Sequence, residues 1–185
     1  MKPAFQQLTI DQTKESFLCF WVRSKKFGFH WHYHPEFEIT YVVHGNGTRL
    51  VGDSSHDFEN HDLIFVGSNL PHTWISHDDF GRDGQEMEVI VLQFSGQIIE
   101  SRAKEIIELS SIGRLLEASG RGLNFPMEVR KKAGRMLMTM TDEKGLKRYN
   151  LLLEVLDLLG SAAFAKLSSE YYAPNYSQTN ETRIG

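Results

Sequence analysis

Histidines and carboxylates are concentrated in one short stretch of the chain. Side chains able to bind a metal or a polar ligand occupy alternate positions there: His30, His32, His34, Glu36, Glu38 and Thr40. In an extended strand, alternate side chains point to the same face, so these residues would form one polar row. Imidazole and carboxylate groups are the ligands that suit zinc, iron, nickel or copper. The stretch therefore predicts a polar site that is able to hold a metal.

The other histidines confine this chemistry to one part of the chain. All 8 histidines lie between positions 30 and 77, and His72 follows the apolar run at 63–66. Four of them adjoin turn residues and are expected at the surface: His44, His56, His61 and His77. Nucleophilic catalysis is not indicated, because the single cysteine, Cys19, lies in an apolar run and no Gly-x-Ser-x-Gly sequence is present.

The spacing of the polar residues resembles the cupin motifs. His32-x-His34, Glu38 and Gly45 match the first cupin motif, and the stretch 61–72 resembles the second. Cupins are β-barrels of the jelly-roll type, so the resemblance implies that fold for this chain.

A wider pattern is more specific. Trp-His-Tyr-His-Pro-Glu at 31–36, Gly-x-Gly-Thr-Arg at 45–49 and Asn-Leu-Pro-His-Thr-Trp at 69–74 together resemble the amino-terminal sensor domain of AraC-family transcriptional regulators. The resemblance continues through the helical part of the chain. It implies a barrel that binds a small-molecule effector, followed by helices that form a homodimer.

The cupin resemblance implies a metal site with three histidines and one carboxylate. Its ligands would be His32, His34, Glu38 and His72. The metal would be a divalent transition ion such as zinc, nickel or iron. Two alternatives stay open: a polar lining without metal, and a register shifted to His30-x-His32 with Glu36.

Further residues are expected to line the effector site. They are His30, Glu36, Thr40, Arg49 and Trp74. Arg49 would bind an anionic ligand, because guanidinium groups pair with carboxylates and phosphates; the alternative for Arg49 is an exposed strand charge. The alternative for Trp74 is a place in the core.

Short apolar runs separated by turns fill the first half of the chain and predict a β-sandwich or barrel. The clearest strands are expected at 63–66, 73–76 and 87–94, with a hairpin turn at 45–47. The fold class predicted is mainly β with α: a cupin-like double-stranded β-barrel (jelly roll) over residues 1–96, followed by a helical dimerisation segment over 97–168. Residues 169–185 are interpreted as a linker.

Apolar residues recur at helical spacing after residue 97. They predict a helix ending near Gly120, a second over Met127–Met140 and a third over roughly Lys147–Ser168. The third helix has a wide apolar stripe, which suggests burial on more than one side. Its expected dimer-interface residues are Leu152, Leu156, Leu159 and Ala163.

Composition narrows the class of protein. Hydrophobic content of 41% and charged content of 24% are ordinary for a globular domain. The chain opens without a signal peptide, contains no run near the roughly 20 apolar residues of a membrane span, and has one cysteine, so we expect a cytoplasmic protein. Its net charge of -4 argues against direct DNA binding. DNA binding is expected only through the carboxy-terminal helix-turn-helix region that the AraC resemblance implies and that this chain lacks.

The most consistent function is an effector-sensing and dimerisation domain of an AraC-family regulator, without enzyme activity. Its expected partners are a small molecule such as a sugar and a second copy of the chain. The alternative is a metal-dependent cupin enzyme, such as a dioxygenase or isomerase, that uses the same four ligands. A weaker third reading is a stand-alone carbohydrate-binding module. The long leucine-rich helical part favours the regulator, because a minimal cupin enzyme does not need it.

Overall fold

The computed structural model describes residues 2–7, 15–81 and 84–172. Eleven strands lie in these ranges. In chain order they are β1 (Ala4–Phe5), β2 (Phe17–Ser24), β3 (His32–Tyr33), β4 (Phe37–His44), β5 (Gly47–Val51), β6 (Ser54–Phe58), β7 (Leu63–Val66), β8 (His72–Ser76), β9 (Met87–Phe94), β10 (Leu123–Asn124) and β11 (Ala165–Lys166).

The helices follow β9. They are α1 (Glu100–Glu105), α2 (Ser110–Ala118), α3 (Met127–Asp142) and α4 (Gly145–Ser161). Single 3₁₀ turns at Gly96–Ile98, Ile107–Leu109 and Ser119–Arg121 connect them. No helix in the described ranges is long and apolar enough to cross a membrane.

The strands form two sheets. The five-stranded sheet has the order β1-β3-β8-β5-β6, and the six-stranded sheet has the order β11-β10-β7-β4-β9-β2. Apolar residues of both sheets share one buried cluster, including Val51 and Trp74 from the first and Val42 and Val89 from the second. The sheets are therefore the two walls of a cupin-like jelly roll, and the predicted fold class is confirmed.

Strand β4 is buried on both faces, and its two faces differ in chemistry. Ile39 and Tyr41 belong to the core shared with the helices. Glu38 and Thr40 face the other way and line a cavity between the sheets. This alternation is the polar and apolar parity that the sequence predicts for an extended strand.

The helices cover the outer face of the six-stranded sheet. Helix α3 packs on β2, β4 and β9, and α4 packs on α2 and α3. A side chain at Gly134 would collide with the ring of Tyr41, so this glycine allows α3 to approach β4 closely. Gly160 likewise allows α4 to approach the backbone of Ser111 in α2.

Two expectations about the sheets are wrong. The polar row does not lie on one strand, because β3 belongs to the five-stranded sheet and β4 to the six-stranded sheet, with a bend at Pro35 and Glu36 between them. Proline lacks a backbone N–H and so suits a point where strand pairing stops. The turn at 45–47 is not a hairpin either, since β4 and β5 lie in different sheets.

The helical segment also differs in part from expectation. The predicted helix at 127–140 is confirmed as α3, but the first predicted helix is divided into α1 and α2. Helix α4 ends at Ser161 because the chain after it returns to pair with β10, where Leu167 N–H donates to the Gly122 carbonyl. Of the expected linker at 169–185, only residues 169–172 lie among the described residues.

Three of the four residues expected at a dimer interface are buried within the chain itself. Leu152, Leu156 and Leu159 are completely buried inside their own chain, where α2 and α3 cover them. Ala163 is exposed and lies beyond the end of α4. The wide apolar stripe of α4 is thus explained by two neighbouring helices of the same chain.

Candidate functional site

Three histidines meet where the chain crosses between the sheets. His32 on β3 lies directly opposite His72 on β8, and His34 follows immediately after β3. One ring nitrogen from each of these three histidines lies within 4.8 Å of the other two. His34 and His72 are 1% exposed. The distances are short enough for one ion to contact all three rings.

Backbone carbonyls fix the orientation of these rings. Nδ1 of His32 lies 2.7 Å from the His30 carbonyl, and Nδ1 of His72 lies 2.8 Å from the Leu70 carbonyl. Nδ1 of His34 lies 3.2 Å from the Glu36 carbonyl. A carbonyl only accepts hydrogen bonds, so each Nδ1 carries the proton. In the neutral ring Nε2 then keeps its lone pair, which is the arrangement that metal-binding histidines use.

Glu38 joins the cluster from β4. Its carboxylate accepts hydrogen bonds from Thr40 Oγ1 at 2.6 Å and from Gln93 Nε2 at 2.7 Å. It also lies 3.1 Å from His34 Nε2 and 3.7 Å from His72 Nε2. The carboxylate therefore contacts one histidine of the cluster and approaches a second.

The pKa values of two histidines in the cluster, His32 and His34, are shifted in opposite directions. Burial, together with repulsion from His72, lowers the pKa of His32 to about 4. Burial also opposes a charge on His34, but the hydrogen bond and charge of Glu38 outweigh it and raise the pKa of His34. Burial disfavours the Glu38 carboxylate too, yet His72 and His34 hold the pKa of Glu38 well below its usual range. A neutral His32 beside an ionised Glu38 suits cation binding.

The cluster has one buried nitrogen without a partner. His72 Nε2 makes no hydrogen bond within the described part of the chain. The His72 ring packs against the rings of His32 and His34, and in its neutral form, with the proton on Nδ1, it would offer the Nε2 lone pair to a metal ion. The donor set, three imidazole nitrogens with a nearby carboxylate, fits a divalent transition metal.

A cavity of about 370 Å³ adjoins the cluster between the two sheets. The polar residues of its wall are Gln6, Lys26, His30, His32, Glu38, Thr40, Thr73 and Gln93. Its apolar wall is formed by Phe20, Val22, Phe27, Val89 and Val91. Cavities of this size accept small molecules, and an apolar wall with a few polar groups is their usual composition.

Two polar atoms on the cavity wall lack partners. Trp74 Nε1 and Gln93 Oε1 are buried and make no hydrogen bond to any described residue. The Gln93 amide is oriented by its contact with Glu38, because a carboxylate needs the NH₂ side of the amide. Both residues line the cavity, and each has one polar atom without a partner: a donor on Trp74 and an acceptor on Gln93.

Comparison with known families identifies the chain. The model of the AraC-like ligand-binding domain matches residues 16–156. The chain belongs to this family. No curated protein matches it in sequence.

The AraC-like domain is also similar in fold to ToxT from Vibrio cholerae. An apo ToxT variant aligns with a TM-score of 0.54 at 13% identity, covering 77% of this chain and 54% of that chain. Wild-type ToxT bound to an unsaturated fatty acid aligns with a TM-score of 0.52 at 14% identity, covering 78% of this chain and 52% of that chain. This chain therefore spans about half the length of ToxT.

Several residues expected at the site lie at the cavity of this AraC-like domain. His30, Thr40 and Trp74 line the cavity. Glu36 does not line it, although its Oε2 lies 3.6 Å from His34 Nδ1. Arg49 is buried rather than exposed and lines a different cavity.

Other site residues were missed from the sequence. The sequence did contain a signal for Gln93, since it is a polar residue on an otherwise apolar face of β9, in line with Val89 and Val91. Nothing in the sequence indicated that Phe20 and Phe27 line the cavity, because aromatic residues in and beside an edge strand are usually part of the core. The register of the histidines, by contrast, follows the family spacing: the cluster joins His32 to His34, not to His30.

Proposed function

We propose that this chain is the effector-sensing domain of an AraC-type transcriptional regulator and that its effector occupies the cavity between the sheets. The observation that carries this proposal is the cavity of about 370 Å³ whose wall holds the unpartnered Trp74 donor and Gln93 acceptor. Leaving buried polar atoms unpaired costs roughly 1–3 kcal/mol each. A ligand that satisfies both atoms would recover that cost on binding.

The preferred effector is a compact hydroxylated molecule such as a sugar. A hydroxyl group both accepts and donates, so one or two hydroxyls would satisfy Trp74 Nε1 and Gln93 Oε1. ToxT structures hold an unsaturated fatty acid and (E)-4-(8-methylnaphthalen-1-yl)but-3-enoic acid. An ionised carboxylate only accepts hydrogen bonds, so it would leave the Gln93 oxygen unpaired. For this reason we place hydroxylated compounds ahead of carboxylic acids.

We further propose that His32, His34 and His72 hold a divalent transition metal, with Glu38 as the nearby carboxylate. Support comes from the three fixed Nδ1 protons and the unpartnered His72 Nε2. A metal there would supply a Lewis-acidic contact for an effector oxygen, since His32 and Glu38 also line the cavity.

The proposed regulator would work as a homodimer and bind DNA through a part of the protein outside this chain. On α4 the accessible apolar side chains include the exposed Leu146 and the half-buried Leu151, Leu153 and Leu158. Leu151 and Leu158 lie on one flank of the helix beside the exposed Glu154, and we place the dimer contact there. An effector would act by favouring one of two arrangements of the dimer, which requires different affinities for the two.

A thermal-shift screen of sugars and polyols against the purified domain tests the effector proposal. A ligand that binds the folded state raises the melting temperature. Trp74→Phe keeps an aromatic ring but removes the N–H, and we expect it to weaken binding about tenfold. The matched control is Trp21→Phe, because Trp21 Nε1 donates to Thr141 Oγ1 away from the cavity. Equal binding by wild type and Trp74→Phe would contradict the proposed contact.

The metal-dependent enzyme remains the second candidate, because the histidine cluster adjoins the cavity. The two functions differ in the fate of the ligand. A sensor releases its effector unchanged, whereas an oxygenase or isomerase converts it. Mass spectrometry of a ligand recovered after incubation with metal-loaded protein and air separates them: an altered mass or retention time supports the enzyme.

A further inference from the structure

A second cavity, of about 490 Å³, lies apart from the histidine cluster. Its wall includes Arg49, His56, Phe58, Asp62, Asn124 and Arg130. Arg49 lies on β5, Asp62 precedes β7, and Arg130 lies on the first turns of α3. The cavity thus lies at the junction between the two-sheet barrel and the helical segment.

At the inner wall of this cavity, two guanidinium groups face one buried carboxylate. Asp62 is 3% exposed and faces two guanidinium groups: its Oδ1 accepts from Arg130 Nη1 at 3.1 Å, and its Oδ2 lies 3.1 Å from Arg49 Nε. Two positive groups therefore share one carboxylate. The other acidic groups of the cavity, Asp57 and Glu59, are exposed to solvent, where their charge is screened.

Arg49 is poorly satisfied in this arrangement. It is 4% exposed, and within the described residues neither its Nε nor its Nη1 makes a hydrogen bond. The contact between Nε and Asp62 is close enough for an ion pair, but its angle does not give a hydrogen bond. Burial, with repulsion from Arg130, lowers the pKa of Arg49 despite the neighbouring Asp62. A buried, incompletely paired guanidinium is costly to maintain without a further acceptor.

We infer that this cavity is a second ligand site, which binds the phosphate or carboxylate group of a small organic anion between Arg49 and Arg130. One oxyanion would supply an acceptor for the unpaired Arg49 Nη1 and a second negative charge beside the two guanidinium groups. Guanidinium pairs are well suited to this role because they bind oxyanions with two parallel donors. Asn124 and His56 on the wall can bind the polar remainder of such a ligand.

This site differs in place and chemistry from the proposed effector cavity. It also connects the two parts of the fold, since Arg49 and Asp62 belong to the barrel and Arg130 to α3. An anion held between Arg49 and Arg130 would add a contact across that junction. Helix α3 in turn packs on α4, so the occupancy of this site would be transmitted to the helical layer.

Titration of the domain with inorganic phosphate, followed by two-dimensional NMR, tests the inference. Sodium acetate forms a second arm that distinguishes carboxylate from phosphate, and sodium chloride at matched ionic strength is the salt control. We expect saturable shifts of backbone signals around Arg49, Asp62 and Arg130. The affinity should fall at least about tenfold in Arg130→Gln, which loses a charge-assisted contact.

Two further variants sharpen the test. Arg135→Gln removes the same charge from an exposed position on the same helix and should leave phosphate affinity unchanged. Asp62→Asn removes the competing carboxylate and should raise the affinity for phosphate. If Asp62 had a purely structural role, the same substitution would not raise that affinity. Shifts that grow linearly with phosphate, or equal affinities in wild type and Arg130→Gln, would overturn the inference. Neither result bears on sugar binding at Trp74.

Discussion

Three backbone carbonyls decide which nitrogen each clustered histidine presents. His34 shows the consequence most clearly, because its Nδ1 faces a carbonyl and its Nε2 lies 3.1 Å from Glu38. Both partners only accept hydrogen bonds, so without a bound ion His34 must carry two protons. A divalent metal would replace the second proton and satisfy His72 Nε2 at the same time.

The metal proposal predicts that loss of one histidine abolishes tight binding. Zinc added to chelator-treated wild-type protein, free of any histidine tag, should be retained at about one ion per chain after desalting. His72→Ala should lower the affinity by about 100-fold or more, because it removes a buried ligand. His77→Ala, which removes a histidine that lies outside the cluster, is the control. Elemental analysis gives the result, and equal zinc in wild type and His72→Ala would refute the site.

Cys19 gives a separate prediction at the residue scale. Burial raises the pKa of its thiol to about 12, so the folded protein should hold it protonated and unreactive. At pH 8 a maleimide should label native protein at least about 100-fold more slowly than denatured protein, because labelling requires opening.

The same thiol should make stability depend on pH. Between about 9, its ordinary pKa, and about 12, the unfolded chain loses the proton while the folded chain keeps it. The free energy of unfolding should therefore fall as pH rises through this window. Cys19→Ser should show a smaller fall in denaturant titrations than wild type. Rapid labelling of the native thiol, or identical pH profiles, would contradict its burial.

At the scale of elements, local patterns predicted the strands better than their partners. The strands at 63–66 and 87–94 were predicted with the bounds the structure has, because polar turn residues flank two largely apolar runs. Which sheet a strand joins depends on contacts distant in sequence, and the crossing at Pro35 left no periodic signal. Strands β10 and β11 were missed because two residues carry no recognisable period.

The candidate site, like the strands, could be predicted from the sequence only where local patterns determine it. The spacing of the cupin motifs predicted that His32, His34 and His72 lie together, and they do. The alternation of side chains along a strand put Thr40 on the polar face, which lines the cavity. The pairing of Arg49 with Arg130 could not be predicted from the sequence. It depends on how α3 packs on the barrel, which neither residue type nor spacing specifies.

Glycines at helix contacts give a prediction for the helical layer. A Cβ at Gly160 would press against the carbonyl of Ser111, so Gly160→Ala should destabilise the domain by roughly 1–3 kcal/mol despite alanine's better helix propensity. Gly120→Ala is the control, because no other atoms lie near the position of its added carbon. Urea denaturation measures both. An unchanged midpoint for Gly160→Ala would show that α2 and α4 are not in close contact.

At the scale of the whole molecule, substitutions at two adjacent leucines distinguish an effect on folding from an effect on dimer formation. Leu159 is completely buried against its own chain, so Leu159→Glu should cost roughly 3 kcal/mol or more and largely unfold the domain. Leu158 is half-buried at the edge of the exposed face of α4. Leu158→Glu should keep the native circular dichroism spectrum but dissociate the proposed dimer.

Sedimentation analysis of wild type and Leu158→Glu at tens of micromolar measures whether each protein is a monomer or a dimer. Leu153→Glu, on the opposite flank of α4, is the matched control and should remain dimeric. If the wild-type domain is a monomer at this concentration, the proposed homodimer is wrong. A dimeric Leu158→Glu would move the interface to another surface.

The small strands β10 and β11 have a practical consequence for dissecting the protein. They complete the six-stranded sheet beyond β7, although they come from either side of α3 and α4. A truncation after residue 96 would leave the β7 backbone as an uncovered edge that is apolar along its whole length. Such edges recruit strands from other molecules and promote aggregation. The first 96 residues should therefore express as insoluble material, and any useful fragment must retain at least residues 123 and 124, which pair with β7.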